Sequence, residues 1–326
     1  MSVSERSCEE EAPVDNRLLT KICRWYYEDN QTQDLIAQRI GVSRSTVSRL
    51  LTQSRNQGLV KVHIQSSVEE HSGVELERAL EQLFCLDEAV VVDPADRSAS
   101  DLLGAAASET VLRMLDNDML IGISWGRTLA AFVAQMPVFR DVRGITFVSL
   151  SGGVGSDRHD ILSNTLVLQL AEKLYAQVLT LNAPAIVQDQ SVHQALIDDP
   201  AIARVLEKVR QVDMAVVGIG AVGAFSTLST MNYLNQPLLD ELTQSGAVGD
   251  ICSRFYTIEG NPVISEIDRR TIGIDLPSLK KVPRVIGLGW GEEKIQALIG
   301  ALRMGVLNVL VTDRKSAAEI VRISTK

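Results

Sequence analysis

Two groups of side chains in this 326-residue sequence have types and spacings suited to chemistry on a partner. The first is Ser43, Arg44, Ser45, Thr46, Ser48 and Arg49. Short hydroxyls and guanidinium forks crowded at one helix start suit phosphate oxygens and base edges, where arginine pairs with guanine or phosphate and hydroxyls touch either. The second group lies in small-residue loops. Ser151, Gly152, Gly153, Val154, Gly155 and Ser156 form the best anion-loop candidate, because three glycines let backbone N–H groups converge and the serines add donors. The loop lacks Gly-Lys-Ser/Thr and is not GxGxxG, so neither ATP nor NAD is implied. Gly246-Ala-Val-Gly-Asp250 puts a carboxylate after a flexible turn. Lys294 stands at a helix start, where the dipole disfavours a cation; it can hold a phosphate or hydroxyl in a pocket, or sit in solvent. Trp125 and Trp290 follow strands and can wall a pocket, with core packing as the default.

Other chemistries find little support. His63, His71, His159 and His193 are scattered, and no acid/base set accompanies them, so no catalytic residue is assigned. His159 lies nearest the glycine loop. Cys8, Cys23, Cys85 and Cys252 are far apart, with no CxxC or Cys/His cluster. No metal site, disulfide framework or cofactor is expected.

The first group needs a helix to display it. Leu18, Leu19, Ile22, Trp25 and Tyr26 have helical spacing within Arg17 to Tyr27. Asp29-Asn30 breaks the pattern. Thr32 caps a second helix, Gln33 to Ile40, with Leu35, Ile36 and Ile40 inward. After Gly41, Ser43 caps a third helix running through Val47, Leu50 and Leu51 to Gln57-Gly58. Two short helices around a glycine-containing turn make a helix-turn-helix. The expected DNA-facing set is the six residues above with Thr32, Gln33 and Arg55. Leu59 to Ile64 alternates like a strand and predicts a wing, with Lys61 and His63 outward. A protein-docking module with solvated arginines is the alternative. Charge weighs against it: residues 17–65 carry eight Lys/Arg against three acids, within a chain of net charge −9. Phosphate affinity follows the local field of the docking face, so the acidic remainder does not exclude DNA.

The second group needs a scaffold that brings loops to one edge. Ala89–Val92, Met119–Ile123, Ile145–Leu150, Val178–Leu181, Met214–Val217, Val285–Leu288 and Asn308–Thr312 are short, mostly apolar runs separated by helical patterns. That predicts an α/β fold with a mostly parallel sheet covered on both faces, and ligands at the strand carboxyl ends. Val74, Leu76, Ala79, Leu80 and Leu83 predict one face of a helix linking the two parts. The expected organisation is an acidic disordered tail at 1–16, the winged-type helix-turn-helix domain at 17–65, a linker helix at 66–88 and the α/β domain at 89–326. No apolar run reaches membrane-spanning length and the N-terminus is polar rather than a signal peptide, which predicts a cytoplasmic location without membrane partners.

Several ordered motifs resemble the SorC/DeoR family of sugar-responsive transcriptional regulators from about residue 17 onward. They are Leu35–Leu51, Gly122-Ile-Ser-Trp-Gly-Arg-Thr-Leu129, Leu150-Ser-Gly-Gly-Val-Gly-Ser156, Val217-Gly-Ile-Gly220 and Gly246–Tyr256. The resemblance implies a large domain similar to the sugar-phosphate isomerase/deaminase fold (NagB/RpiA-like), holding a sugar or sugar-phosphate effector rather than a cofactor. It implies effector contacts from Ser124, Trp125, Gly126 and Arg127, from Ser151 to Ser156, and from Asp250 and Lys294. It also implies operator DNA as partner and a homo-oligomer, dimer or tetramer. Gly249–Tyr256 looks like the sorbose-regulator branch, whereas the glycine loop is similar to the branch sensing a phosphorylated quorum signal, so the effector stays open. Two other readings compete: a phosphosugar isomerase-like enzyme carrying a DNA-binding head, and a ligand-free DNA-binding adaptor.

Overall fold

Along one strand, Val309 and Val311 enter one apolar cluster while Leu310, between them, enters another. Met214 and Val216 alternate with Ala215 and Val217 in the same way. A strand apolar on both sides has to be covered on both sides, which is the condition for an interior parallel sheet. The computed structural model describes residues 16–60, 68–94, 98–153, 159–223, 226–231 and 233–325. It divides into two units, Met1–Ser66 and Ser67–Lys326.

The smaller unit contains α1 (Asn16–Tyr27), α2 (Gln33–Ile40) and α3 (Arg44–Asn56). Leu19, Ile22, Ile36, Val47, Leu50 and Leu51 meet in its core. Thr32 Oγ1 accepts from Leu35 N–H at 3.3 Å to start α2, and Gly41, at φ +72°, ends it in the left-handed conformation that glycine adopts without strain. Leu35, expected inward, is 55% exposed. The buried positions of α2 are Ile36 and Ala37 with Ile40 partly buried, and Leu35 precedes that stripe on the outer side. Val60 packs on the core, but most of the expected wing, including Lys61 and His63, lies outside the described residues, as does the tail before Asn16.

The larger unit contains β1 (Glu88–Val92), β2 (Leu120–Ile123), β3 (Thr146–Ser149), β4 (Gln177–Leu179), β5 (Met214–Gly218), β6 (Gly220–Ala221), β7 (Ala247–Ile251), β8 (Arg254–Thr257), β9 (Arg284–Leu288) and β10 (Val309–Asp313). Seven form a sheet in the order β1-β10-β9-β5-β2-β3-β4, with every pairing parallel. From β2 the chain steps outward to β3 and β4; from β5 it steps the other way to β9 and β10. On one face lie α5 (Ala99–Arg113), α6 (Arg127–Gln135) and α7 (Ser163–Leu174). The other face is covered by α4 (Val68–Phe84) and by helices Pro200–Val209, Ile295–Met304 and Arg314–Ser324.

The expected linker helix, α4, packs on β1 and on helix Arg314–Ser324. Leu80 is fully buried, with Leu76 and Phe84 beside it at four-residue spacing. Val74 and Leu83, expected on that face, are exposed. On the same helix Glu77 Oε1 accepts from Val91 N–H at 2.9 Å and Glu81 Oε1 from Ala89 N–H at 3.0 Å. These carboxylates occupy the outward N–H groups of an edge strand, so β1 is not left open to pairing.

β6, β7 and β8 form a small antiparallel sheet. It is held against helix Ile295–Met304 by close approach. A Cβ on Gly300 would lie 2.6 Å from Thr257 O and 3.0 Å from the Tyr256 ring, while Tyr256 Oη–H donates to Ala297 O at 3.0 Å. Gly300→Ala is expected to destabilise the protein by about 1–3 kcal/mol through overpacking. That outweighs the ~1 kcal/mol that alanine gains over glycine in a helix interior. A lower urea midpoint at unchanged slope would report it; an unchanged or higher midpoint would contradict the packing argument.

Candidate functional site

A parallel sheet wound in two directions leaves a crevice at the carboxyl ends of the strands where the directions part. Here that point lies between β2 and β5, and a cavity of about 270 Å³ opens there. Ser124, Trp125, Gly126 and Arg127, which follow β2, form one wall. Gly218 to Gly223, from the last residue of β5 onward, form another. Asp250 and Cys252 enter from the antiparallel sheet, and Glu293 and Lys294 from the turn after β9.

Each wall has a local cause. Ser124 N–H donates to Val216 O at 3.1 Å, binding the β2 exit to β5. Gly126 N–H donates to Ile161 O at 2.9 Å. Gly126 precedes α6 without a side-chain cap, so the first-turn N–H groups of α6 begin at the cavity beside Arg127 and Thr128. Those N–H groups and the Arg127 guanidinium favour an anion. Lys294 closes a short 3-10 turn, Glu292–Lys294, and its Nζ–H donates to Thr128 Oγ1 at a long 3.4 Å. Burial pulls the Lys294 ammonium below its ordinary pKa; Glu293 and Asp250 favour the charge, and Arg127 opposes it.

Asp250 is the acidic counterpart. Its Oδ2 accepts from Ser253 N–H at 3.1 Å. Burial pushes its carboxyl up to about 6, opposed by that hydrogen bond and by Lys294. Glycine at position 220 makes room for it: a Cβ there would stand 2.1 Å from Asp250 Oδ1. Burial pushes the neighbouring Cys252 thiol up to about 12, so it is a neutral wall group rather than a thiolate nucleophile. The arrangement offers carboxylate and hydroxyl partners for a polyol and cationic partners for an anion within one small space.

The glycine loop behaves differently from expectation. Gly152 N–H donates to Ile272 O at 3.0 Å and Gly153 N–H to Ala183 O at 2.8 Å. Ser151 is fully buried and bridges Gly273. These amides are spent on neighbouring backbone and are not free to cradle an anion, and Ser151, Gly152 and Gly153 do not line the cavity. Val154, Gly155 and Ser156 lie outside the described residues. Conversely, Thr128, Cys252, Glu293, Ser226 and Thr227 line the cavity without having been assigned to it. Val217-Gly-Ile-Gly220 was the available signal for the second wall, as an apolar strand running into glycines.

In the smaller unit, Ser45, Ser48, Arg49 and Arg55 are exposed on α3, opposite buried Val47, Leu50, Leu51 and Ser54. Thr52, not singled out from sequence, shares the outer face. Ser43 Oγ accepts from Thr46 N–H at 3.1 Å and lies 2.7 Å from Ser45 Oγ and 2.8 Å from Thr46 Oγ1, so its first role is the cap. Arg44 is exposed and pairs loosely with Asp34 at 3.9 Å. Thr32 caps α2, and Gln33 is its first, half-buried residue. The exposed face of α3 thus carries hydroxyls and arginines and no acid.

Among the described residues, no helix is long and apolar enough to cross a membrane, and no cluster of His, Cys, Asp or Glu is placed to hold a metal ion. The family model described as "putative sugar-binding domain" matches residues 69–322. The sorbitol operon regulator of Klebsiella pneumoniae is 32% identical over 309 residues, covering 93% of this chain and 97% of that protein. The deoxyribonucleoside regulator of Bacillus subtilis is 30% identical over 94% of this chain and 97% of its own length. The transcriptional regulator LsrR of Escherichia coli K12 is 30% identical over 99% of this chain and 100% of its own. The crystal structure of the full-length Klebsiella regulator, SorC, superimposes with a TM-score of 0.73 at 31% identity, covering 95% of this chain and all of that one. These relatives are transcriptional regulators rather than enzymes, and the chain belongs to the SorC/DeoR family of transcriptional regulators.

Proposed function

We propose that this regulator governs a carbohydrate-utilisation operon and that its operator affinity is set by a phosphorylated sugar in the cavity between β2 and β5. The observation that carries this reading is the composition of one 270 Å³ space: Arg127, Lys294 and an uncapped helix start for an anionic group, with Asp250 for hydroxyls. α3 reads the operator, with Arg44, Ser45, Ser48, Arg49 and Arg55 toward the DNA and Thr32 and Gln33 at the adjoining helix start. A homo-oligomer, dimer or tetramer, displays α3 in pairs, which suits two half-sites about one helical turn apart.

Thermal melting of the full chain against sugars and their phosphate esters tests the ligand class. A ligand at a hundred times its Kd adds about 2.7 kcal/mol, a shift on the order of 5–10 °C. The phosphorylated member of each pair is expected to give the larger shift. Lys294→Ala and Asp250→Ala should each lose it yet bind operator normally. A screen in which no sugar or sugar phosphate shifts the protein would refute the assignment. Arg44→Ala is the reciprocal case. It should weaken operator binding by about 1–3 kcal/mol and leave the ligand shift intact.

Asp250 also makes a pH prediction. Its folded pKa of about 6 exceeds its unfolded value, so the folded state holds the proton more tightly. The stability this contributes is fully present below the unfolded pKa and is lost as pH rises through about 6. Asp250→Asn is therefore expected to raise the melting temperature of the unliganded protein at pH 7.5 and not at pH 4, while abolishing the ligand shift at both. An equal gain at both pH values would show that charge burial at Asp250 is not the cause.

A further inference from the structure

The lysine-bearing turn of the cavity is held from outside the cavity. Asp313 ends β10 and caps helix Arg314–Ser324, its Oδ1 accepting from Ser316 N–H at 3.0 Å. Its Oδ2 does something else: it accepts from Ser316 Oγ–H at 2.5 Å and from Gly291 N–H at 3.0 Å. Gly291 N–H is shared with Ser316 Oγ at 3.1 Å. The carbonyl of Gly291 accepts from Lys294 N–H at 3.0 Å. Gly291 is thus held on its N–H side by Asp313 and Ser316, while its C=O closes the turn that presents Lys294.

Three features single this contact out from an ordinary helix cap. First, a cap needs only one carboxylate oxygen, as at Asp199, whose Oδ1 alone accepts from Ala201 and Ile202 N–H. Asp313 uses its second oxygen on a different segment, 22 residues away in the chain. Second, Gly291 sits at φ +102°, a backbone conformation that L side chains rarely adopt, so the turn's shape depends on that glycine. Third, Asp313 is almost fully buried, which alone would raise its pKa; the donors from Ser316, Gly291 and Lys315 more than offset this and keep the carboxyl below the usual range. It therefore remains a charged acceptor for Gly291.

We propose that Asp313, with Ser316, is a positioning residue for the binding site: it fixes the Gly291–Lys294 turn and so sets where the Lys294 ammonium stands in the cavity. Its effect on ligand affinity rests on the sugar-phosphate reading above; its effect on the turn does not. Asparagine at 313 is the informative substitution. It keeps a cap oxygen for Ser316 N–H and replaces the Gly291 acceptor with an NH₂ group, which cannot accept.

Hydrogen exchange of the unliganded full-length protein tests the turn. In Asp313→Asn, the amides of Gly291 and Lys294 are expected to exchange at least about tenfold faster, those of residues 316–324 at the wild-type rate, and Asp199→Asn to leave both unchanged. Wild-type exchange at Gly291 and Lys294 would overturn the proposal. Equal loosening of helix 314–324 would also overturn it, because Asp313 would then be a cap and nothing more. The second arm measures fructose 6-phosphate and deoxyribose 5-phosphate affinity in a double-mutant cycle with Lys294→Ala. Asp313→Asn is expected to weaken binding about tenfold in the wild-type background and less than twofold once Lys294 is gone. Equal losses in the two backgrounds would refute positioning through Lys294. If neither probe binds the wild type, the choice of ligand class fails, and the exchange experiment still decides the role of Asp313.

Discussion

A parallel strand that leaves the sheet must return over one of its faces, and a chain that reverses its direction of winding must leave a gap between the two departures. That constraint organises the larger unit. β2 feeds α6 on one face; β5 feeds the small antiparallel sheet, whose packing partner, helix Ile295–Met304, covers the other. A cavity of about 270 Å³ is left between them. The groups in the cavity come from the strand ends, from the helix starts and turns that follow them, and from the segment that carries the antiparallel sheet. Gly220, Gly249 and Gly300 contribute by what they lack, since a Cβ at any of them would strike Asp250, Tyr256 or the backbone of the hairpin.

The cavity's electrostatics follow from that enclosure. Asp250 and Lys294 are both taken partly out of water, and each is shifted toward its neutral form while the other partly restores its charge. Among the described residues, Asp250 accepts one hydrogen bond, on Oδ2 from Ser253 N–H, and Lys294 makes one long bond to Thr128. A ligand that donates hydroxyls to the first and presents an anion to the second supplies what folding withheld. Unspent hydrogen-bonding capacity at a desolvated site is costly to the empty protein and favours the ligand that satisfies it.

Much of this was legible in the sequence. Short, mostly apolar runs separated by helical patterns marked the parallel strands, because a doubly covered strand has no polar face to disguise it. Asp250 and Lys294 were recognisable as polar groups in otherwise bland loops, and Ser124 to Arg127 came from the family motif. What was not legible depended on where backbone amides spend their hydrogen bonds. The glycine loop after β3 looks like an anion cradle in sequence, yet Gly152 and Gly153 donate to Ile272 and Ala183, partners about 120 and 30 residues distant that no local pattern announces. Leu35 and Val74 were misassigned for a related reason: an apolar residue one step off the buried stripe has the same composition as one on it. The antiparallel β6-β7-β8 sheet was missed because β6 is two residues long and β7 and β8 are joined by Cys252-Ser253, both at positive φ without the glycine or asparagine that advertises a tight hairpin.

The architecture also bears on how a ligand's presence can matter beyond the cavity. Within the larger unit, β10 carries Asp313 at its end and pairs along its length with β1. β1 gives its outward N–H groups to Glu77 and Glu81 of α4, and α4 packs on the helix that Asp313 caps. The cavity turn and α4 are therefore both fastened to the β1–β10 pair by carboxylates, the turn through Asp313 at the end of β10 and α4 through Glu77 and Glu81 along β1. Coupling still requires that the ligand prefer one arrangement over another, and a tenfold change in operator affinity needs about 1.4 kcal/mol of such preference. A single charge-assisted hydrogen bond gained or lost at the Gly291 turn is of that size, so the fastening need not be elaborate for the sensor to work.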